Sequence, residues 1–279
     1  MKLMIRAHDL GVKGEENIVR RLCELGLDGV QLVAYKSIDG VAYAEGALTK
    51  ERARDIGGAF LAAGKEVALV GAYFNPVHPN GEKAAKGAAI FRDYLANVRA
   101  LGCDTVGSET GSYMGEPWVY HPDNRTEEAR ECVVATFREL ADAAAEHGVC
   151  IGMEGAFGHV CYSPDVLCDV VKRIDRPNVR IIFDLYNYLD ISNYSEAYSI
   201  LERGHELFGR DILLYHVKDF TVSDGKLVQC GVGKGILDYE RILRTIYEIN
   251  KDAILVLEGT VGDDIPVAIE HIRGITDKF

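Results

Sequence analysis

Short apolar runs alternate along this chain with longer amphipathic segments. The apolar runs are Leu3–Ala7, Gly29–Val33, Val67–Ala72, Thr105–Gly107, Val149–Met153, Val179–Phe183, Ile212–Tyr215 and Ile254–Leu257. Most are too short for a helix and rich in β-branched residues, the pattern of strands buried on both faces. Between them, Glu15–Leu25 places Ile18, Val19, Leu22 and Leu25 on one helical face. Glu127–His147 does the same with Cys132, Val133, Phe137, Leu140 and Ala144, and Tyr239–Asn250 with Ile242, Leu243, Ile246 and Ile249. Gly26, Gly64, Gly102 and Gly148 each stand where a helix should stop before the next strand.

Eight strands alternating with helices predict an α/β fold, a single (β/α)8 TIM barrel over residues 1–279. An open doubly wound sheet is the competing arrangement. It usually carries a Gly-rich turn after its first strand, whereas here that strand runs into His8-Asp9-Leu10-Gly11.

Composition narrows the function. The 279 residues carry 31 Lys+Arg and 43 Asp+Glu, a formal charge of −12, which argues against a nucleic-acid partner. No apolar run approaches the roughly 18 residues of a membrane span. The opening Met1–Arg6 turns polar too early for a secretory signal, so a cytoplasmic protein is expected. The seven cysteines form no CxxC, and reduced packing residues are expected rather than a disulfide framework.

Active sites of such barrels lie at the carboxyl ends of the strands. The last four strands run into Glu154, Asp184, His216 and Glu258, each about one βα unit after the one before. Alternation places these four on the same face as Gly152, Ile182, Leu214 and Val256, so each projects into the barrel mouth. Three carboxylates around one imidazole repel one another unless a cation joins them. Oxygen ligands with one histidine suit Mn²⁺, Mg²⁺, Co²⁺ or Zn²⁺. The segment Gly231–Asp238 reads either as a tight turn ending in a helix cap at Asp238 or as a phosphate cradle.

These residues together resemble the xylose isomerase-like TIM-barrel superfamily, the sugar phosphate isomerase/epimerase group that also includes the endonuclease IV-type AP endonucleases. The likeness rests on Glu154, Asp184, the HxKD of His216–Asp219, the GxGxxxxD of Gly231–Asp238 and the LE-G of Leu257–Gly259. Gly71–Pro79 and Asp28–Leu32 add to it, with Gln31 where the family often has Glu. The resemblance implies one divalent metal held by Glu154, Asp184, His216 and Glu258, with Glu154 and Glu258 as catalytic acid/base partners on a small sugar, keto-sugar or polyol. It also leans toward a homo-oligomer. Asn187 stands where the epimerases usually carry a substrate-contacting His. Asn can hydrogen-bond a hydroxyl but cannot shuttle a proton at neutral pH.

Further candidate substrate contacts are His8, Glu109, His159 and Lys218. Trp118 lies in a Gly111–Asp123 loop that reads either as an aromatic lid or as packing on the barrel. Three other functions compete with the isomerase/epimerase reading. One is a dehydratase on the same metal site, and another is a sugar-binding barrel without catalysis. The third is a phosphodiesterase of the endonuclease IV type, for which His78 and His121 are the extra ligands on offer.

Overall fold

A computed structural model describes all 279 residues. Eight parallel strands close into a barrel: β1 (Lys2–Arg6), β2 (Gly29–Leu32), β3 (Glu66–Gly71), β4 (Thr105–Glu109), β5 (Cys150–Glu154), β6 (Val179–Asp184), β7 (Ile212–Val217) and β10 (Ile254–Leu257). Around the barrel β1 neighbours β10, which neighbours β7, and the order then descends to β2 and back to β1. The helices are α1 (Glu15–Leu25), α2 (Ala34–Ser37), α3 (Lys50–Ala62), α4 (Gly81–Asn97), α5 (Glu127–Glu146), α6 (Pro164–Ile174), α7 (Ala197–Phe208), α8 (Tyr239–Ile249) and α9 (Asp264–Thr276). The expected (β/α)8 barrel is therefore the fold, and the open-sheet alternative falls because β1 pairs with both β2 and β10.

The amphipathic segments fold as read, within a residue at each end. Ile18 and Leu22 of α1, Phe137 and Leu140 of α5, and Leu243 and Ile246 of α8 are buried against the barrel. Thr126 caps α5 by accepting the Ala129 N–H at 3.2 Å. The four helix-stop glycines all have positive φ. The cysteines are free thiols; Cys103, Cys161 and Cys168 are buried packing residues, while Cys23 is exposed.

Inside the barrel, Met4, Leu69, Ile182, Leu214 and Val256 form a separate small apolar cluster. Three strands, β2, β4 and β5, contribute only glycine at this level, at Gly29, Gly107 and Gly152. A Cβ on Gly107 would lie 2.7 Å from Ile182 Cδ1, and one on Gly152 would lie 3.0 Å from the same atom. One isoleucine therefore fills the space beside both glycines and floors the mouth above it.

Two differences from the sequence reading stand out. Strand β1 ends at Arg6, and His8 lies in a short 3₁₀ turn, Ala7–Leu10, rather than at the strand end. An antiparallel hairpin, β8 (Asp219–Ser223) with β9 (Lys226–Cys230), is inserted between β7 and α8 and was not foreseen. Its signal was Asp224-Gly225, a two-residue turn in which φ is 49° and 70°.

Candidate metal centre

Each inward residue two positions beyond the barrel floor belongs to the mouth. Above Met4, Ile182, Leu214 and Val256 stand Arg6, Asp184, His216 and Glu258; above Gly29, Gly107 and Gly152 stand Gln31, Glu109 and Glu154. The alternation that buries the floor thus aims a polar ring at one point.

Glu154, Asp184, His216 and Glu258 converge there, all buried, with one ligand atom from each lying within 4.8 Å of the others. Nδ1 of His216 is 2.8 Å from Glu258 Oε2, 3.1 Å from Glu154 Oε1 and 3.3 Å from Asp184 Oδ2. One ring nitrogen cannot satisfy three carboxylates by hydrogen bonding. Asp184 Oδ2 is buried without a hydrogen-bond partner, although Lys218 Nζ is 2.7 Å away; the contact is close but lacks hydrogen-bond direction. On its far side, His216 Nε2 meets Gln31 Oε1 at 2.5 Å.

Two cations brace the cluster. Lys218 Nζ lies 2.8 Å from Glu258 Oε1 and donates to Asn187 Oδ1 at 2.9 Å. Arg6 Nη1 donates to the same Glu258 oxygen at 2.7 Å, and its other nitrogens bond both oxygens of Asp9. With a neutral imidazole, the three cluster carboxylates and Asp9 exceed Lys218 and Arg6 by two negative charges. That residual charge and a buried three-carboxylate, one-imidazole donor set together fit a divalent cation.

The electrostatics point the same way. Burial pulls the His216 imidazolium down, but Glu258 and Glu154 reverse this and hold its pKa well above the usual range. The carboxylates therefore favour a positive charge at Nδ1, supplied by a proton or a metal ion. Burial raises Glu154 above the ordinary carboxylate range. Burial also opposes ionisation of Glu258, yet the charges of His216 and Lys218 outweigh it and hold that group well below.

The other sequence candidates divide into two groups. Asn187 and Lys218 belong to the cluster itself: Asn187 Nδ2 donates to Glu154 Oε1 at 2.7 Å, while its oxygen accepts from Lys218. The Asn187 backbone N–H also donates to Asp184 Oδ1 at 3.0 Å. His8 and Glu109 line a cleft of about 290 Å³ at the mouth, beside Arg6, Lys36, Tyr73 and Trp118. Burial and the nearby Arg6 charge lower the His8 pKa to about 4. His159 lies outside this cleft lining. Its Nε2 is 3.2 Å from the Trp118 carbonyl and its ring packs edge-on to the Trp118 indole. It holds the Gly111–Asp123 loop, which Asn75 and Asn124 also pin through Ser112, Tyr113 and Gly115. Trp118 thereby packs on the barrel and lines the cleft at once.

The Gly-rich segment is a turn and cap. Asp219 is fully buried, and its carboxylate accepts the backbone N–H groups of Phe220, Gly233, Gly235 and Leu237 at 2.9–3.2 Å. Those donors surround a side chain of the same protein instead of a phosphate. A Cβ on Gly235 would lie 2.0 Å from Asp219 Oδ1, so glycine is required there. Asp238 then caps α8, accepting from Arg241 N. His78 and His121 stand apart from the cluster. His78 lines a side cleft, and His121 accepts the Asp123 N–H at the start of a 3₁₀ turn. Arg6 and Tyr73 are site residues that the sequence reading did not single out, and Gln31 figured there only as part of the family likeness.

A family model described as "Xylose isomerase-like TIM barrel" matches residues 19–275. An uncharacterized protein of Methanocaldococcus jannaschii, MJ1311, is 25% identical over 188 residues, a stretch covering 66% of this chain and 60% of that protein's length. Among solved structures, a xylose isomerase domain protein from Planctomyces limnophilus aligns with a TM-score of 0.75 and 20% identity, covering 99% of this chain and 96% of the other. The apo form of 3-keto-D-glucoside 4-epimerase YcjR from E. coli aligns with a TM-score of 0.74 and 18% identity over 99% of both chains. Other structures with a TM-score of 0.72 and 14–18% identity include a D-psicose 3-epimerase, a probable 3-DHS dehydratase from Bacillus anthracis, and two proteins that hold zinc or magnesium. At these identities the structural likeness is one of fold.

Proposed function

The chain belongs to the xylose isomerase-like TIM barrel family, and from that premise we propose a divalent-metal-dependent isomerase or epimerase of a small sugar, keto-sugar or polyol. The observation that carries this reading is the convergence of Glu154, Asp184, His216 and Glu258 on one buried point. These four would hold the ion, which supplies Lewis acidity toward a substrate carbonyl and its neighbouring hydroxyl.

The rest of the chemistry belongs to the chain. Glu154 and Glu258 end strands separated around the barrel by β6 and β7. One, unprotonated, takes the proton from the carbon beside the carbonyl; the other, already protonated from solvent, delivers its own, and the first then gives up the proton it took to solvent. Return to the same carbon on the opposite side gives an epimer, and return to its neighbour gives an isomer. Which glutamate acts first follows from the face of the sugar presented. Asn187 orients Glu154 and Lys218 without moving a proton itself. The cleft lined by His8, Glu109 and Trp118 offers hydroxyl contacts, with His159 fixing Trp118.

The test is metal analysis of the purified protein together with exchange of substrate C–H protons in D₂O across a panel of keto-sugars. About one divalent ion per chain and exchange that vanishes in both Glu154→Gln and Glu258→Gln are expected. Full exchange in either variant overturns the assignment. β-Elimination after the same proton abstraction is a second reading, favoured by the dehydratase among the fold relatives. Loss of water from the substrate, in place of simple deuterium incorporation, distinguishes it.

A further inference from the structure

His216 and Gln31 meet across the barrel although 185 positions separate them in the chain. Both side chains are buried, and Gln31 is wholly inaccessible. The Gln31 amide makes two short contacts: Oε1 to His216 Nε2 at 2.5 Å, and Nε2 to the Tyr73 hydroxyl at 2.6 Å. Tyr73 in turn lines the cleft at the mouth and the side cleft next to it. A Cβ on Gly71 would lie 2.5 Å from the Tyr73 ring, so that glycine makes room for the ring beside the site.

Only Nδ1 of His216 faces the carboxylates. As a metal ligand Nδ1 must be unprotonated, so the ring hydrogen must sit on Nε2 and needs an acceptor in a buried place. Gln31 Oε1 is that acceptor. The ring N–H therefore sets which way the amide points, and its opposite end then donates to the tyrosine oxygen, which can accept as well as donate. The amide is neutral, so it orients the ligand without adding to the charge of the cluster.

Resting on the proposed metal centre, we propose that Gln31 is a positioning residue for the metal: it holds His216 in the Nε2–H form, and Tyr73 keeps its amide turned toward the ring. Neither side chain touches the ion.

The experiment measures Mn²⁺ dissociation constants by electron paramagnetic resonance of free Mn²⁺, on the full chain at one pH. The proteins are wild type, Gln31→Met, Gln31→Glu and Tyr73→Phe, each with its thermal midpoint and near-UV circular dichroism recorded. Gln31→Met keeps the length of the side chain and loses the acceptor; a roughly 10–100-fold weaker constant is expected. Gln31→Glu keeps an acceptor, so binding at least as tight as wild type is expected. Tyr73→Phe frees the amide to rotate, and a loss smaller than that of Gln31→Met is expected. An unchanged constant in folded Gln31→Met overturns the inference while leaving the metal centre standing. Equal weakening in Gln31→Met and Gln31→Glu also overturns it, since packing and not hydrogen-bond acceptance would then be at work. Failure of wild type to bind Mn²⁺ overturns the metal centre and this inference with it.

Discussion

Lys218 offers the sharpest test of the charge balance at the mouth. Its ammonium is buried and lies 2.7 Å from Asp184 Oδ2, 2.8 Å from Glu258 Oε1 and 2.9 Å from Asn187 Oδ1. Lys218→Met keeps most of the stem volume and removes the charge. Breaking a buried ion pair from one side costs about 3–5 kcal/mol, because the partner charge stays buried. Arg6 still contacts Glu258, so the lower end, about 3 kcal/mol, applies here. For a chain of this size that is a fall in thermal midpoint of roughly 6–12 °C in EDTA. The variant leaves one more uncompensated negative charge than wild type, so a divalent ion relieves more repulsion in the variant. The rise in midpoint from EDTA to Mn²⁺, followed by calorimetry, should therefore be larger for Lys218→Met than for wild type. A variant within about 2 °C of wild type in EDTA, or a smaller Mn²⁺ gain, would refute the balance drawn from these distances.

Other consequences can be checked on the same protein. His205 is buried against Phe183 and Tyr215, and burial lowers its pKa from 6.5 to about 4. The unfolded chain then takes up this proton before the folded one, so stability present above pH 6.5 drains as pH falls toward 4, by up to about 3 kcal/mol. Urea titrations at both pH values should show that loss reduced in His205→Gln; an unchanged acid sensitivity would count against the burial argument. Asp219→Asn replaces one carboxylate oxygen, which accepts two backbone N–H groups, by an amide nitrogen that cannot accept them. Two charge-assisted bonds lost come to about 3 kcal/mol or more, and a measured cost under about 1 kcal/mol would show that the turn holds without them.

Most of the barrel could be read in the residues, because burial on both faces leaves strands nothing to be but apolar. The convergence of Glu154, Asp184, His216 and Glu258 could be read too, since a period of two links each of them to an apolar or glycine residue below it. Hairpin β8–β9 escaped because it lies outside the barrel's apolar pattern: no residue of Lys226–Cys230 is fully buried, and only Asp224-Gly225 marked it. The contacts of Asn187 and Lys218 escaped for another reason. Their side chains carry polar groups suited to a ligand, and the chain itself occupies those groups with Glu154, Asp184 and Glu258. Gln31 pairs with a residue on the far side of the ring, and no local spacing records which residues meet across a closed sheet.

The floor of the mouth links substitutions that look independent on paper. Ile182 fills the space beside Gly107 and Gly152, and those three residues lie two positions before Asp184, Glu109 and Glu154. A methyl group at either glycine meets the end of the isoleucine side chain, and at Gly107 also that of Leu69, so it is accommodated best where position 182 shrinks in the same step. Libraries that vary these sites singly will score both glycines as poorly tolerant. Libraries that vary them jointly have access to a second family of floors, in which volume migrates from one strand to its neighbours. The height and tilt of the carboxylates above then become a selectable trait, inherited through strong epistasis among three residues that never touch a ligand.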